Sequence, residues 1–142
     1  MNGITLEQAN TIIVKALGKG SDLALKPLCV VVLDAGGHLI ALQRQDGASL
    51  LCPQIAMAKA SGALGLGVPS RTIGEMASDR PTFVAALGSL APNGIVPAAG
   101  GVIVIDVQGE TIGAVGVTGD TSDNDEICAI AGVAAAGLAV SG

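Results

Sequence analysis

Apolar residues recur along this chain in two rhythms. Near the start, Leu6, Ala9, Ile12, Ile13, Ala16 and Leu17 follow the three-to-four-residue spacing of one helix face. Thr5 and Gln8 form a capping-box pair ahead of them, and Gly18 and Gly20 end the run. After Pro27 the rhythm changes. Residues 28–33 are continuously apolar, Asp34-Ala-Gly-Gly is turn chemistry, and residues 38–44 alternate. This pattern predicts two strands of a hairpin.

A small-residue helix is expected over 55–64, with Pro53 at a position that a first helical turn tolerates. Pro69 breaks it. Thr72 with Glu75 marks a short helix, and Asp79 and Pro81 open another that runs through Leu90. Ala91-Pro-Asn-Gly reads as a turn, residues 95–99 as a short extended segment, and 102–106 and 110–117 as strands joined at Gln108-Gly109. The last helix is expected to be capped by Ser122, with Asp125 three residues on and Asp123, Asp125 and Glu126 in its first turn, where the helix dipole favours negative charge. The predicted order is α-β-β-α(α)-β-β-β-α. Hairpin connections imply an antiparallel sheet of about five strands covered by helices, an α+β fold. Residues 1–142 read as a single domain, with no internal repeat and no linker.

Composition sharpens this picture. Half of the residues are apolar and only 13% are charged, against a usual charged share of about 25%. That deficit leaves apolar surface for subunit interfaces to hide, so a homo-oligomer is expected. There are 21 Gly, one Phe, and no Tyr or Trp. The core must therefore be built of Ala, Val, Leu and Ile packed at close range. Stacking platforms for single-stranded nucleic acid are missing, and a net charge of −5 argues against a phosphate-tracking surface. Cys29, Cys52 and Cys128 form no C-x-x-C pair and read as buried thiols in a reducing compartment. The opening MNGITLEQAN has no basic segment followed by an apolar run, and the longest small-residue apolar stretch, 127–140, is shorter than the roughly 20 residues a membrane span needs. A cytoplasmic protein without membrane partners is expected.

Several pieces of the sequence together resemble the GlcG/HbpS-like proteins, the haem-degrading domain family that includes the C-terminal domain of PduO-type corrinoid adenosyltransferases. They are Asp34-Ala-Gly-Gly-His38-Leu39, Arg44-Gln-Asp46-Gly-Ala48, Ala58-Lys59-Ala60, Gly100-Gly101, the run from Gly113 to Gly119, and Asp125-Glu126 followed by Cys-Ala. The resemblance covers essentially the whole chain. It implies a profilin-like α/β/α sandwich assembled into dimers or larger rings such as octamers. Some relatives bind or degrade haem, and others are encoded among catabolic enzymes for glycolate, diols or aromatic compounds. From its opening residues the chain is expected to lie closer to the cytoplasmic, GlcG-like branch than to secreted haem-binding relatives.

The candidate residues follow. His38, the sole imidazole, is either a haem-iron ligand or general base, or a hydrophilic residue at a hairpin turn. Met57, Met76 and the cysteines are alternative iron ligands. Arg44 and Asp46 are either an exposed ion pair or a ligand clamp, the Arg fork suiting a carboxylate or a haem propionate. Lys59 stands alone among small apolar neighbours. It is either a desolvated catalytic amine or a structural partner of Glu126 or Asp125. Glu126 is a helix-start carboxylate or an acid/base partner of Lys59 or Arg44. Gly100 and Gly101 are packing glycines or a backbone nest for an oxyanion beside the ligand. No phosphate-cradle motif is present, so no nucleotide cofactor is expected.

Three functions are open at this level. One is an oligomer binding haem or a similar tetrapyrrole. Another is an enzyme (isomerase, tautomerase, lyase or hydrolase) on a hydroxy- or oxo-acid, with Arg44 holding the carboxylate and Lys59, His38 or Glu126 moving the proton. The third is an accessory scaffold of a catabolic enzyme system.

Overall fold

The structure, a computed structural model, describes residues 3–142. Helix α1 (Leu6–Asp22) begins at the predicted capping box, with Gln8 N–H donating to Thr5 Oγ1 and Thr5 N–H donating to Gln8 Oε1. Strands β1 (Cys29–Asp34) and β2 (Leu39–Arg44) form the first hairpin. Three helices follow, α2 (Cys52–Leu66), α3 (Ser70–Asp79) and α4 (Pro81–Gly88). The second hairpin is β3 (Gly101–Ile105) with β4 (Thr111–Thr118), and α5 (Ser122–Ala135) and β5 (Ala139–Val140) close the chain. The sheet is antiparallel throughout, in the order β2-β1-β4-β3-β5.

The fold is the expected α+β sandwich around a five-stranded antiparallel sheet, but the fifth strand is a different segment. Residues 95–99 stay outside the sheet, and Ala139–Val140 pairs with β3 after the last helix. Turn-rich chemistry around Pro92 and Pro97 favours an irregular path there. The continuous apolar look of residues 127–140 concealed the helix end, which comes at Ala135 before Gly137 turns with φ +77°. The expected Ser122 cap is also corrected. Thr121 is the cap, accepting from the Asn124 amide at 3.2 Å, while the Asp125 carboxylate points inward.

Strand periodicity divides the core between two faces. Val30 and Val32 of β1 join Val115 and Val117 of β4 under α1 and α5, with Ile12, Ile13 and Val133. The alternate residues Cys29, Val31 and Leu33 join Ala114 under α2, with Cys52, Ala56 and Ala60. The α2 face is built on backbone proximity. A Cβ on Gly116 would stand 2.0 Å from the Ala56 carbonyl oxygen, and one on Gly101 2.2 Å from that of Lys59. Two glycines on neighbouring strands thus let α2 lie directly on the sheet and fix where Lys59 can reach.

The two hairpins end in matching turns, a repeat that the sequence reading missed. In the first, the Asp34 amide donates to the His38 carbonyl and the Gly37 amide to that of Asp34, at 2.9 and 3.0 Å. Asp34 Oδ1 accepts from the amides of Gly36 and His38. In the second, Asp106, Gly109 and Glu110 repeat the two backbone bonds at 2.9 and 3.0 Å, and Asp106 Oδ1 accepts from Gln108 and Glu110. Gly37 and Gly109 occupy the left-handed region at φ +82° and +80°. The register shifts at equivalent places, Val32/Leu33 and Val104/Ile105. Only Asp, Gly and a following alternation are common to the two sequences, because the backbone prescribes little else.

Candidate functional site

The expected polar residues fall in separate places. Lys59 lies deep between α2, β4 and α5, with 3% of its surface exposed; Asp125 is 1% exposed. Lys59 Nζ donates to Asp125 Oδ2 at 3.2 Å, Thr118 Oγ1 at 3.2 Å and the Val117 carbonyl at 3.1 Å. An ammonium has three donors, and all three are taken. Asp125 Oδ1 accepts from the Asp120 amide at 2.9 Å. Burial pushes the Asp125 carboxyl above its ordinary range, and the Asp120 amide and Lys59 pull it back. Gly100, at φ +130°, makes room for this arrangement, since a Cβ there would meet the Val117 oxygen at 2.4 Å and Lys59 Nζ at 2.9 Å. Gly101 is held by Ser70, whose Oγ accepts its amide at 2.7 Å. These glycines pack against Lys59, and the Gly101 amide is already used.

Glu126 is turned away from Lys59. It receives Arg71 Nε at 3.0 and 3.2 Å, and Arg71 Nη2 also bonds Asp123. Arg71 ties α3 to the start of α5 and was not singled out from the sequence, where a lone Arg after Pro69-Ser70 carries no signal. Of the two partners weighed for Lys59, Asp125 is the one it meets.

Arg44 and Asp46 border a shallow exposed groove with Leu25, Pro27 and Gln45. No ion pair joins them among the described residues. Gln45 closes the hairpin base by accepting the Leu28 amide at 2.7 Å. Cys29 is opposite Arg44 on one side and Thr118 on the other. Arg44 and Thr118 therefore share a row, about 10 Å apart at two strand spacings. Burial raises the Cys29 thiol to about 11, Cys52 adding to the rise and Arg44 opposing it. Among the described residues, no group of three or more His, Cys, Asp or Glu stands together to hold a metal ion.

His38 stands at the other end of β2 from Arg44, about 20 Å away along a strand rising about 3.3 Å per residue. Its side chain is 82% exposed, with Nδ1 3.2 Å from Asp34 Oδ1. The amides of His38 and Gly36, together with the imidazole, hold the Asp34 carboxyl below its usual range. The imidazole borders a cleft of about 660 Å³. One wall is the β1–β2 turn. The others are the C-terminal half of α2, with Ser61, Gly62, Leu64 and Leu66, and the end of α4 with the segment after it, which supply Leu87 and then Leu90, Asn93 and Ile95. The walls are largely aliphatic. Ile95 packs on α2 at Gly62, where a Cβ would meet its Cγ1 at 3.5 Å, an ordinary contact distance. Lys59, Arg44 and Glu126 do not border this cleft.

Comparison with known proteins agrees with this architecture. The solved structure of a PduOC:heme complex superposes with a TM-score of 0.85 over 99% of both chains at 19% identity, a likeness of fold. HbpS is 26% identical over 94% of this chain and 90% of its own, with a TM-score of 0.80. Protein ORFY of Klebsiella pneumoniae is also 26% identical, over 96% and 92% of the two chains, with a TM-score of 0.84. No curated protein matches the sequence significantly. The model of the family described as haem degrading protein HbpS-like matches residues 4–134. The chain belongs to the HbpS-like haem-degrading family.

Proposed function

We propose that this protein binds a haem-type tetrapyrrole in the cleft beside the β1–β2 turn, with His38 as the iron ligand. The observation that carries the reading is the placement of the sole imidazole. It stands at the border of an aliphatic cleft, with Nδ1 against Asp34 and Nε2 without a protein partner among the described residues. The residues fit the group. Imidazole is a common axial ligand, aliphatic walls suit a macrocycle, and the cleft volume falls within the roughly 300–1,000 Å³ of ligand sites. Bound haem would supply the iron chemistry. Leu64, Leu66, Leu90 and Ile95 would hold the ring, and the Asn93 amide offers a hydrogen bond at the rim. Family membership and the shared fold of the PduOC:heme complex support the ligand class.

An acid–base enzyme acting on a hydroxy- or oxo-acid has less support. Lys59 has its donors committed and Glu126 is held by Arg71. An oligomer is supported by large apolar side chains left on the surface, among them Leu6, Val14, Leu50, Leu51 and Val107. Among the described residues no helix is long and apolar enough to cross a membrane, and three free buried thiols support a reducing, cytoplasmic setting.

Gly65 offers a direct test of the cleft. It borders the cleft, and a Cβ there meets nothing within 4 Å. Gly65→Trp should fill the space without disturbing the fold. Haemin binding at least tenfold weaker, with an unchanged melting temperature, is expected. Undiminished binding by a folded Gly65→Trp variant would place the ligand elsewhere.

A further inference from the structure

The two matched turns allow the functional one to be compared with a near-copy in the same molecule. Backbone bonds, aspartate acceptor and left-handed glycine coincide, so the shared features satisfy the hairpin. The differences are what the hairpin does not require. Residue 36 is Gly where the second turn has Gln108, and residue 38 is His where it has Glu110.

Gly36 is not there for its backbone. It is absent from the residues with positive φ, and Gln108 occupies the equivalent position. It is there for space. A Cβ on Gly36 would stand 2.9 Å from both Cε1 and Nδ1 of His38 and 3.4 Å from Asp34 Oδ1. The imidazole therefore lies over the turn in volume that any other residue would fill. That position brings Nδ1 to 3.2 Å from the Asp34 carboxylate.

We infer that Gly36 and Asp34 are positioning residues for His38: Gly36 keeps open the space into which the imidazole folds, and Asp34 takes up Nδ1, so that Nε2 is the nitrogen offered to the cleft. This rests on the proposed haem site for its purpose, though the ring arrangement stands in the free protein. A carboxylate behind an iron-bound imidazole fixes its tautomer and raises its basicity. An exposed ring without such support would spend rotamer entropy on each binding event.

The test has one arm without ligand and one with haemin. In free protein labelled with 15N-histidine, the neutral His38 ring should carry its proton on Nδ1. Asp34→Asn keeps an acceptor for the turn amides but loses the charge, and it should shift the population toward the Nε2–H form. Gly36→Ala should do the same by displacing the ring, with melting temperature unchanged because Gln108 shows that the backbone accepts a side chain. An Nε2–H ring in the wild type, or a tautomer indifferent to both substitutions, would overturn the inference. With haemin, Gly36→Ala should bind at least tenfold more weakly, and Asp34→Asn should raise the reduction potential of bound haem. Wild-type affinity in Gly36→Ala with an unmoved potential in Asp34→Asn would also overturn it. Failure of the wild type to bind haemin would defeat the proposed function, and the tautomer arm alone would then decide this inference.

Discussion

Lys59 Nζ and Asp125 Oδ2 meet at 3.2 Å with both side chains almost wholly enclosed. The pair joins the helix lying on one face of the sheet to the start of a helix packed on the other, through the end of β4. Its remaining bonds go to Val117, Thr118 and the Asp120 amide, and no buried side-chain polar atom is left without a partner among the described residues. An ion pair in such a place is stabilising only relative to its broken halves.

Removing one half should be severe. Lys59→Met leaves the Asp125 carboxylate buried beside an apolar stem and should cost about 3–5 kcal/mol in urea unfolding. The double variant Lys59→Met/Asp125→Asn should recover part of this, because the uncompensated charge is gone. A loss below about 1 kcal/mol in the single variant would mean that the pair is solvated in solution.

Close packing at the glycines makes an opposing pair of predictions. Gly116→Ala sets a Cβ against the Ala56 carbonyl, a backbone atom that cannot swing away. It should destabilise by at least the roughly 1–3 kcal/mol typical of overpacking. Gly18→Ala, within α1 and open to solvent around its Cβ, should stabilise by about 0.5–1 kcal/mol. Thermal or urea denaturation of the two variants reads both signs at once.

Acid should loosen the start of α5 through Asp120. The Asn124 side-chain amide and the Lys26 backbone amide lower its carboxyl from 3.8 to about 2. A depressed carboxyl stabilises the fold when ionised, so its contribution is full above the ordinary value and fades as pH falls through about 2. The stability difference between the wild type and Asp120→Asn should therefore be constant near neutrality and shrink between about pH 4 and pH 2. A difference independent of pH across that window would contradict the assignment.

Much of the fold was legible in the chain because its signals are local. The Thr5/Gln8 box, the unbroken apolar run that is buried on both faces as β1 and the Asp-Gly turns each follow from a few neighbouring residues. The fifth strand was not legible, since Ala139–Val140 is only two residues long and owes its state to pairing with β3. The site was legible in part. His38 stood out as the sole imidazole, but its cleft is made by α2 and the 87–95 segment, which no spacing in the sequence brings to the turn. Lys59 stood out for its apolar surroundings, yet whether it faced Asp125 or Glu126 depended on the rotation of α5. Burial of Cys128 and Ala129 on the core side of that helix turns Asp125 inward and leaves Glu126 to Arg71.

The central claim is that His38 holds the iron of a tetrapyrrole in this cleft, and a haemin titration followed by absorbance tests it most directly, with His38→Ala measured alongside. The wild type should give a saturable, stoichiometric Soret shift, and His38→Ala should lose it or show a different ligand-field spectrum at much weaker affinity. No saturable shift in the wild type, or the same spectrum and affinity in His38→Ala, would contradict the account.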